Sequence, residues 1–385
     1  MKIIIKKEQI IEGLQKASSI IASKAGAPYL RTIWMKTEGK DRLTVMASDL
    51  NVEFTGNYPA SVAEEGLAGV NGKSFVELIR RMPEGDITIT ADDAEHVLHI
   101  EQKRLHYKLP VSDPMWFNAL APFPEEGAVL WAGDFFKEII DRVSFCIAND
   151  DTTEALNCLY MRKNSAGKVD VCGLEGHQFA LFAFINDGLA DKITEKGLLV
   201  QKKYVQEIRK WLSDDEIMLN VTERKLYLRN SQGTESISVP CSFFEYPDYA
   251  NFLKALDGDD VSVMRADKNL FAQILDRIHV LSSTETDFAA IFSFSEGQEG
   301  AGTLKISAQG TSTGAEDIDV HYKGGLKSIA FPPKEFSEIL GHFQSSELQF
   351  TFSGQNGPCG IKGADDPEYL VLIMPMTLPS ESYYE

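Results

Sequence analysis

Cysteine is scarce in this 385-residue chain: Cys146, Cys158, Cys172, Cys241 and Cys359 are an odd number, scattered, with no C-x-x-C pair. That usage excludes a disulfide framework or a thiolate zinc site and predicts buried, idle thiols in a reducing cytoplasm. Long apolar runs are missing as well. The longest, such as 369–376, falls far short of the ~18 residues a membrane span requires. Residues 1–5 are too short an apolar stretch for a signal peptide. Basic charge is in deficit: 38 Lys and Arg against 57 Asp and Glu leave −19. A uniformly basic nucleic-acid binder is thereby excluded, and a soluble, self-repelling surface is favoured.

Catalytic signatures are also lacking. No H-E-x-x-H, G-x-S-x-G or G-x-G-x-x-G occurs. Gly66 to Ser74 imitates a phosphate loop, but Gly66 and Gly72 enclose five residues where that motif needs four, so a helix start is expected there. His96 and His99, three apart on an expected strand, should face opposite ways and share no metal. Asp92-Asp93 and Asp365-Asp366 lie in turn-like segments where paired carboxylates are solvated. His177, beside Gly176, is the one histidine in a suggestive setting; read alone, it is a structural histidine. Neither a cofactor nor a metal is expected.

What is present is a repeat. At 43% apolar residues the chain can bury real cores, and its length suggests two to three domains of about 150 residues. Residues 70–82, 200–212 and 331–343 align without gaps, at offsets of 130 and 131. Lys73, Lys203 and Lys334 coincide, as do Glu77, Glu207 and Glu338. Phe75, Val205 and Phe336 share one apolar position and Leu78, Ile208 and Ile339 the next, the spacing of one helix face. The offsets carry on into strands of period two, where Ile87, Ile217 and Leu348 match, then Ile89, Leu219 and Phe350. Upstream, 136–143 matches 271–278, and 10–14 is a looser third copy. The fold expected is α+β: three similar modules, each with two helices on antiparallel sheet, at 1–122, 123–253 and 254–385.

Helices are expected over Lys6–Ile21, Asn71–Met82, Asp134–Ala148, Gln201–Leu212, Asp267–Ser282 and Pro332–Phe343. They hold fifteen basic and eleven acidic residues, a surplus of four that leaves the rest of the chain at −23. Lysines do gather on solvated helix faces. A basic residue at one place in all three copies, against so acidic a background, points instead to a common basic surface facing a polyanion, with the acidic sheets turned away.

Three motifs then carry a likeness. Leu174 to Ala180 matches the pattern A-T-D-G-H-R-L-A, Tyr246 to Tyr249 matches R-F-P-D-Y, and Tyr369 to Leu378 matches Y-V-V-M-P-M-R-L. In that order, on a threefold repeat, the chain resembles the bacterial sliding clamps, the beta subunits of DNA polymerase III, over essentially its whole length. The resemblance implies a non-catalytic processivity factor: a head-to-tail homodimer whose six modules form a ring around double-stranded DNA, with helices lining the hole. Twelve helices about 10 Å wide span a circumference of roughly 120 Å and leave a hole of about 28 Å, wider than the roughly 20 Å duplex.

Matching the family position by position, Lys24 and Lys73 fall at basic positions near DNA, and Arg80, Lys202 and Lys203 extend them from the charge tally. A peptide pocket is implied at Leu174, Gly176, His177, Phe179, Pro247, Phe252, Met374, Pro375, Met376 and Leu378. It would receive short apolar segments of the replicative polymerase alpha subunit, the clamp loader and repair polymerases. Gln178, Asn251 and Thr377 replace residues that are arginine in the family, and 379–385 extend past its usual end as a tail expected beside the pocket. Val280 and Leu281 match dimer-contact positions, whereas His106 and Lys108 stand where the family is apolar. Two other readings compete with the clamp: a hydrolase or transferase centred on His177, and a scaffold that never meets DNA.

Overall fold

One backbone hydrogen bond recurs three times along the chain: Lys7 N–H to Gly85 O at 3.1 Å, Gly133 N–H to Asp215 O at 3.0 Å, and Lys268 N–H to Ser346 O at 2.8 Å. Each ties the start of one helix to the loop after a second helix. A computed structural model describes residues 1–21, 27–149, 153–258, 260–281, 288–297, 300–308 and 312–377. Its helices are α1 (Lys7–Ile20), α2 (Gly72–Arg81), α3 (Gly133–Val143), the short α4 (Asp187–Ala190), α5 (Lys202–Trp211), the short α6 (Ala250–Lys254), α7 (Lys268–Val280) and α8 (Pro333–Gly341). In two copies the tie is reinforced by an ammonium on the last carbonyls of the second helix: Lys7 on Met82, and Lys268 on Phe343 at 2.7 Å. In the central copy glycine takes that place, and a Cβ on Gly133 would lie 2.4 Å from the Asp215 carbonyl oxygen.

All three sheets are antiparallel. The five-stranded sheet runs Ser61–Glu64, Lys2–Lys6, Asp86–Asp92, Val97–Gln102, Leu105–Pro110. The eight-stranded sheet joins Val129–Ala132, Glu216–Val221, Lys225–Asn230 and Glu235–Pro240 to Glu53–Pro59, Arg42–Ser48, Thr32–Thr37 and Gly66–Asn71. The twelve-stranded sheet contains the strands Cys158–Lys163, Val169–Glu175 and Gln178–Phe184, then Asp366–Ile373 and the remaining strands of the last third. Period-two burial is as expected: Ile87, Ile89, Ile217, Leu219, Leu348 and Phe350 are all buried. So are Phe75, Val205, Phe336, Ile208 and Ile339 on the helices. Leu78 is only half-buried, because Ile79 takes the core in α2.

The chain forms two compact units, residues 1–140 with 200–243 and residues 141–199 with 244–385, so the strands of the central repeat are shared between them. Two local expectations need correction, and a third holds. α3 stops at Val143 rather than Ala148, because the following 3₁₀ turn, Ser144–Cys146, packs on the Val169–Glu175 strand and buries Cys146 and Ile147. His96 is not on a strand; it ends a turn with φ of 54°, and the strand begins at Val97. Gly66 to Ser74 is a strand leading into α2, with the Asn71 side chain accepting from Ser74 N–H at 3.1 Å, so the phosphate-loop likeness is a capped helix start. All five cysteines are buried and unbridged. Among the described residues no helix is long and apolar enough to cross a membrane.

Each unit holds a buried ion pair of long sequence range. In the first, Lys16 on α1 meets Glu235 at 2.7 Å, and Tyr58 donates its hydroxyl to the same carboxylate at 2.8 Å. Burial pulls the Lys16 pKa down, but the hydrogen bond and charge of Glu235, helped by Glu12, raise it above the ordinary lysine value. In the second, Arg142 on α3 meets Asp366 at 2.7 Å, with side chains 8% and 0% exposed. Ser345 donates its hydroxyl and backbone N–H to Asp366, and Gln344 its N–H. Burial raises the Asp366 pKa, but these donors and Arg142 together hold it below the ordinary value. Asp366→Ala should cost about 3–5 kcal/mol, because the Arg142 guanidinium, the Ser345 hydroxyl and the Gln344 and Ser345 N–H groups all lose the buried carboxylate they share; urea denaturation read by a probe in the second unit checks this. The depressed pKa gives the acid dependence its sign. The contribution is present in full above the unfolded pKa of about 3.9 and is lost as pH falls through the lower folded value.

Candidate functional site

A cavity of about 300 Å³ opens in the second unit, lined by Leu174, Gly176, His177, Gln178, Phe179, Asn251, Phe252, Ala255, Pro358, Leu372 and Met374. Four elements converge on it. The hairpin between the Val169–Glu175 and Gln178–Phe184 strands supplies Leu174 to Phe179. α6 supplies Asn251 and Phe252, and the 3₁₀ turn after it Ala255. Leu372 and Met374 come from the Asp366–Ile373 strand and the residue past it, where Met374 N–H donates to His177 O at 2.8 Å. Gly176 has open space where a Cβ would stand, which leaves the rim uncluttered.

The floor is core. Phe179 is buried, 5.3 Å from the ring of Tyr249 and 6.2 Å from that of Phe252. Beneath it lie Cys158, Tyr160, Cys172, Leu199, Tyr246, Tyr249, Leu370 and Leu372. Tyr246 stacks on Tyr160 at 4.3 Å. Tyr249 donates its hydroxyl to Asp170 at 2.6 Å, and the Arg162 guanidinium sits 4.1 Å over its ring. Burial, then the neighbouring Cys172 and Asp170, push the Tyr249 pKa far above the ordinary tyrosine value, so it acts here as a fixed donor. The Tyr246 to Tyr249 motif therefore builds the floor that fixes α6.

Six of the ten pocket positions read from the sequence line this cavity: Leu174, Gly176, His177, Phe179, Phe252 and Met374. Pro247 sits half-buried in the loop before α6, and Pro375 and Met376 lie beyond the lining. Met376 is drawn away because its N–H donates to Ala330 O at 2.8 Å. Met374 does not fill the core of its strand; it follows the strand and is 37% exposed. Leu378 and the 379–385 tail lie outside the described residues. Sequence reasoning passed over Ala255, Pro358 and Leu372, and took Gln178 and Asn251 only as replacements of arginine. Leu372 was findable, two residues before Met374 in the same motif. Ala255 and Pro358 carry no such signal.

Among the described residues His177 is the only titratable side chain of the lining, and no serine, cysteine or carboxylate joins it. Elsewhere, ligand atoms of Asp92, Glu95 and His99 come within 4.8 Å of one another. Asp92 already accepts from two backbone N–H groups, however, and Glu95 is paired with Lys108 at 3.1 Å. Lys73, Lys203 and Lys334 all stand exposed at the second position of α2, α5 and α8. Lys202 precedes Lys203, whose ammonium lies 4.7 Å from the Tyr204 ring. Arg80, in the last turn of α2, pairs with Glu77 at 2.9 Å. Lys24 lies outside the described residues. Val280, 70% exposed, ends α7, and Leu281 follows it half-buried. His106 and Lys108 are exposed on the Leu105–Pro110 strand.

Three family descriptions match the chain: the DNA polymerase III beta subunit N-terminal domain over 1–121, its central domain over 132–239 and its C-terminal domain over 255–377. The beta sliding clamp of Caulobacter vibrioides (strain NA1000 / CB15N) is 22% identical over 98% of this chain and all of its own length. That of Chlamydia muridarum is 23% identical over 98% and 99%. Among solved structures, the DNA polymerase sliding clamp from Bacillus subtilis superposes with a TM-score of 0.88 at 19% identity, and that from Caulobacter crescentus with 0.87 at 21%; each comparison covers 98% of this chain and 100% of the other. With three modules and a family match along nearly the whole sequence, the chain belongs to the DNA polymerase III beta subunit family and is a DNA sliding clamp, a non-catalytic, homodimeric processivity factor of DNA replication.

Proposed function

We propose that the 300 Å³ cavity is the dock for short apolar peptide segments of the replicative polymerase alpha subunit, the clamp loader and repair polymerases. The observation that carries this reading is the lining itself. Among the described residues it holds no carboxylate, ammonium or guanidinium, and a pocket of this size, apolar with a few polar groups, suits a ligand held by burial. Gln178 and Asn251 offer amide donors and acceptors where arginine would offer charge. Met374, unbranched and polarisable, can repack around different side chains. On this reading the modules run 1–122, 123–253 and 254–385, and the chain works in the cytoplasm, where five thiols outside any disulfide persist.

DNA would be met by Lys73, Arg80, Lys202 and Lys203, together with Lys24. A lysine in the first turn of a helix opposes the helix dipole, so helix stability gives no reason for one at the same place in α2, α5 and α8. The helix N-terminus and the ammonium together attract phosphate.

Strand pairing supports where two copies would join. Glu235–Pro240 pairs with Glu53–Pro59, and Asp366–Ile373 with Gln178–Phe184; each is the last strand of one module laid on the preceding module. The third such pair would be Leu105–Pro110 with Gly314–Lys323. Leu105–Pro110 ends its sheet, and among the described residues 314–320 pair on one side only, with Ala301–Ala308. On this reading the two edges meet between chains, head to tail, beside Val280 and Leu281. That pairing would lay the edge carrying Lys103, Arg104 and Lys108 along a strand that carries exposed Asp317 and Asp319.

Loaded on nicked circular DNA, the protein should survive salt that abolishes Coulombic binding and slide off once the circle is cut; loss at high salt from intact circles would remove enclosure. Phe252→Ala should weaken a polymerase-derived apolar peptide about 10- to 100-fold, the equivalent of burying one such side chain, while leaving retention on circles unchanged. Calorimetric titration checks the first part, and unaltered affinity would remove the dock from this cavity.

A further inference from the structure

Repeat symmetry equates residues that no local motif connects. α1, α3 and α7 begin at Lys7, Gly133 and Lys268, which make the same backbone bond, and nine residues on stand Lys16, Arg142 and Arg277. The last strands of the modules begin at Leu105, Glu235 and Asp366. At both internal junctions these two positions meet as cation and carboxylate: Lys16 with Glu235, and Arg142 with Asp366, each at 2.7 Å. Both pairs are largely withdrawn from water, with side chains 21% and 11% exposed in the first and 8% and 0% in the second. Tyr58 donates its hydroxyl to the Glu235 carboxylate of the first pair, and Tyr369 donates to the Arg142 backbone carbonyl beside the second.

The third set departs from this. Arg277 keeps the cation, but the position of the acid holds Leu105, preceded by Lys103 and Arg104. Arg277 instead pairs with Glu316 of its own chain at 2.8 Å and 2.5 Å, and its side chain is 54% exposed. We infer that the seam between two copies is built without the buried ion pair that fastens both internal junctions, and that Leu105 is the residue that withholds it. The occupant of the Leu105–Pro110 edge is a second copy of this chain, so the inference rests on the head-to-tail reading above. What holds the seam is then backbone pairing, the apolar end of α7 and exposed charges, which salt screens over about 8 Å at physiological ionic strength. A clamp must close on DNA and open again, and a seam lacking a desolvated ion pair separates without stranding a buried charge on either face.

Leu105→Glu would complete the third pair with Arg277 of the partner subunit. The dimer dissociation constant, followed by sedimentation over a dilution series, should fall at least tenfold in Leu105→Glu, stay near wild type in Leu105→Gln, and return to wild type in Leu105→Glu with Arg277→Leu. Arg277→Leu alone should change it less than about threefold, since that guanidinium has no carboxylate across the seam; this arm holds even if Leu105→Glu folds poorly. No tightening in a folded Leu105→Glu, tightening that persists without Arg277, or a tenfold loss in Arg277→Leu alone would each overturn the inference. A wild-type chain that stays monomeric at micromolar concentration would instead remove the head-to-tail reading itself.

Discussion

An exposed strand edge presents a row of unpaired N–H and C=O groups, and the way this chain disposes of its edges organises everything else. The second and third modules each finish with a strand that lies on the module before, so Glu235–Pro240 completes the sheet of Glu53–Pro59 and Asp366–Ile373 that of Gln178–Phe184. The backbone bonds of those pairings are obligatory once the surroundings exclude water. They also decide where the buried charges go. Glu235 and Asp366 are the first residues of the joining strands, so laying the strand down delivers the carboxylate to Lys16 or Arg142. The ion pairs add little net stability over an apolar pair of the same size, but they penalise any register in which the carboxylate misses its cation.

The pocket is a by-product of the same device. Because Asp366–Ile373 pairs with Gln178–Phe184, the end of one strand, at Leu372 and Met374, arrives beside the turn that begins the other, at His177. α6 closes the remaining side, and its position is fixed by Tyr249, whose hydroxyl is spent on Asp170 and whose ring lies under Arg162. A site made from strand ends over a packed aromatic floor is rigid, which suits a dock whose ligands are flexible segments that lose entropy on binding. The one adaptable element in it is Met374 at the rim.

How much of this the sequence discloses depends on the range of the interaction. The helix starts at Lys73, Lys203 and Lys334 and the strands at Ile87, Ile217 and Leu348 are legible because amphipathic periodicity is local and the repeat shows it three times. Six pocket residues were legible through motif likeness alone. Pro358 and Ala255 were not, since nothing near them in sequence marks a wall built by residues a hundred positions apart. Lys16 with Glu235 is illegible for the same reason: 219 residues separate them, and each taken singly reads as a solvated charge. His96 misled because an αL turn residue breaks strand alternation without glycine or proline to announce it.

A net charge of −19 on a protein that holds DNA is less paradoxical once binding is topological. A factor that relies on contact alone must neutralise many phosphates, and its affinity then collapses as salt rises. An enclosing clamp has the opposite requirement, for strong phosphate contacts would anchor it and oppose sliding. A few cations suffice to keep the duplex from leaning on the wall. The repeats differ in what they offer: α5 holds Lys202, Lys203, Arg209 and Lys210, whereas in α8 Lys334 is the only lysine or arginine and stands beside Glu335 and Glu338. The acidity carried by the rest of the chain then repels DNA that is not enclosed. Charge in this chain therefore limits where DNA can rest, while closure of the seam determines whether it is held.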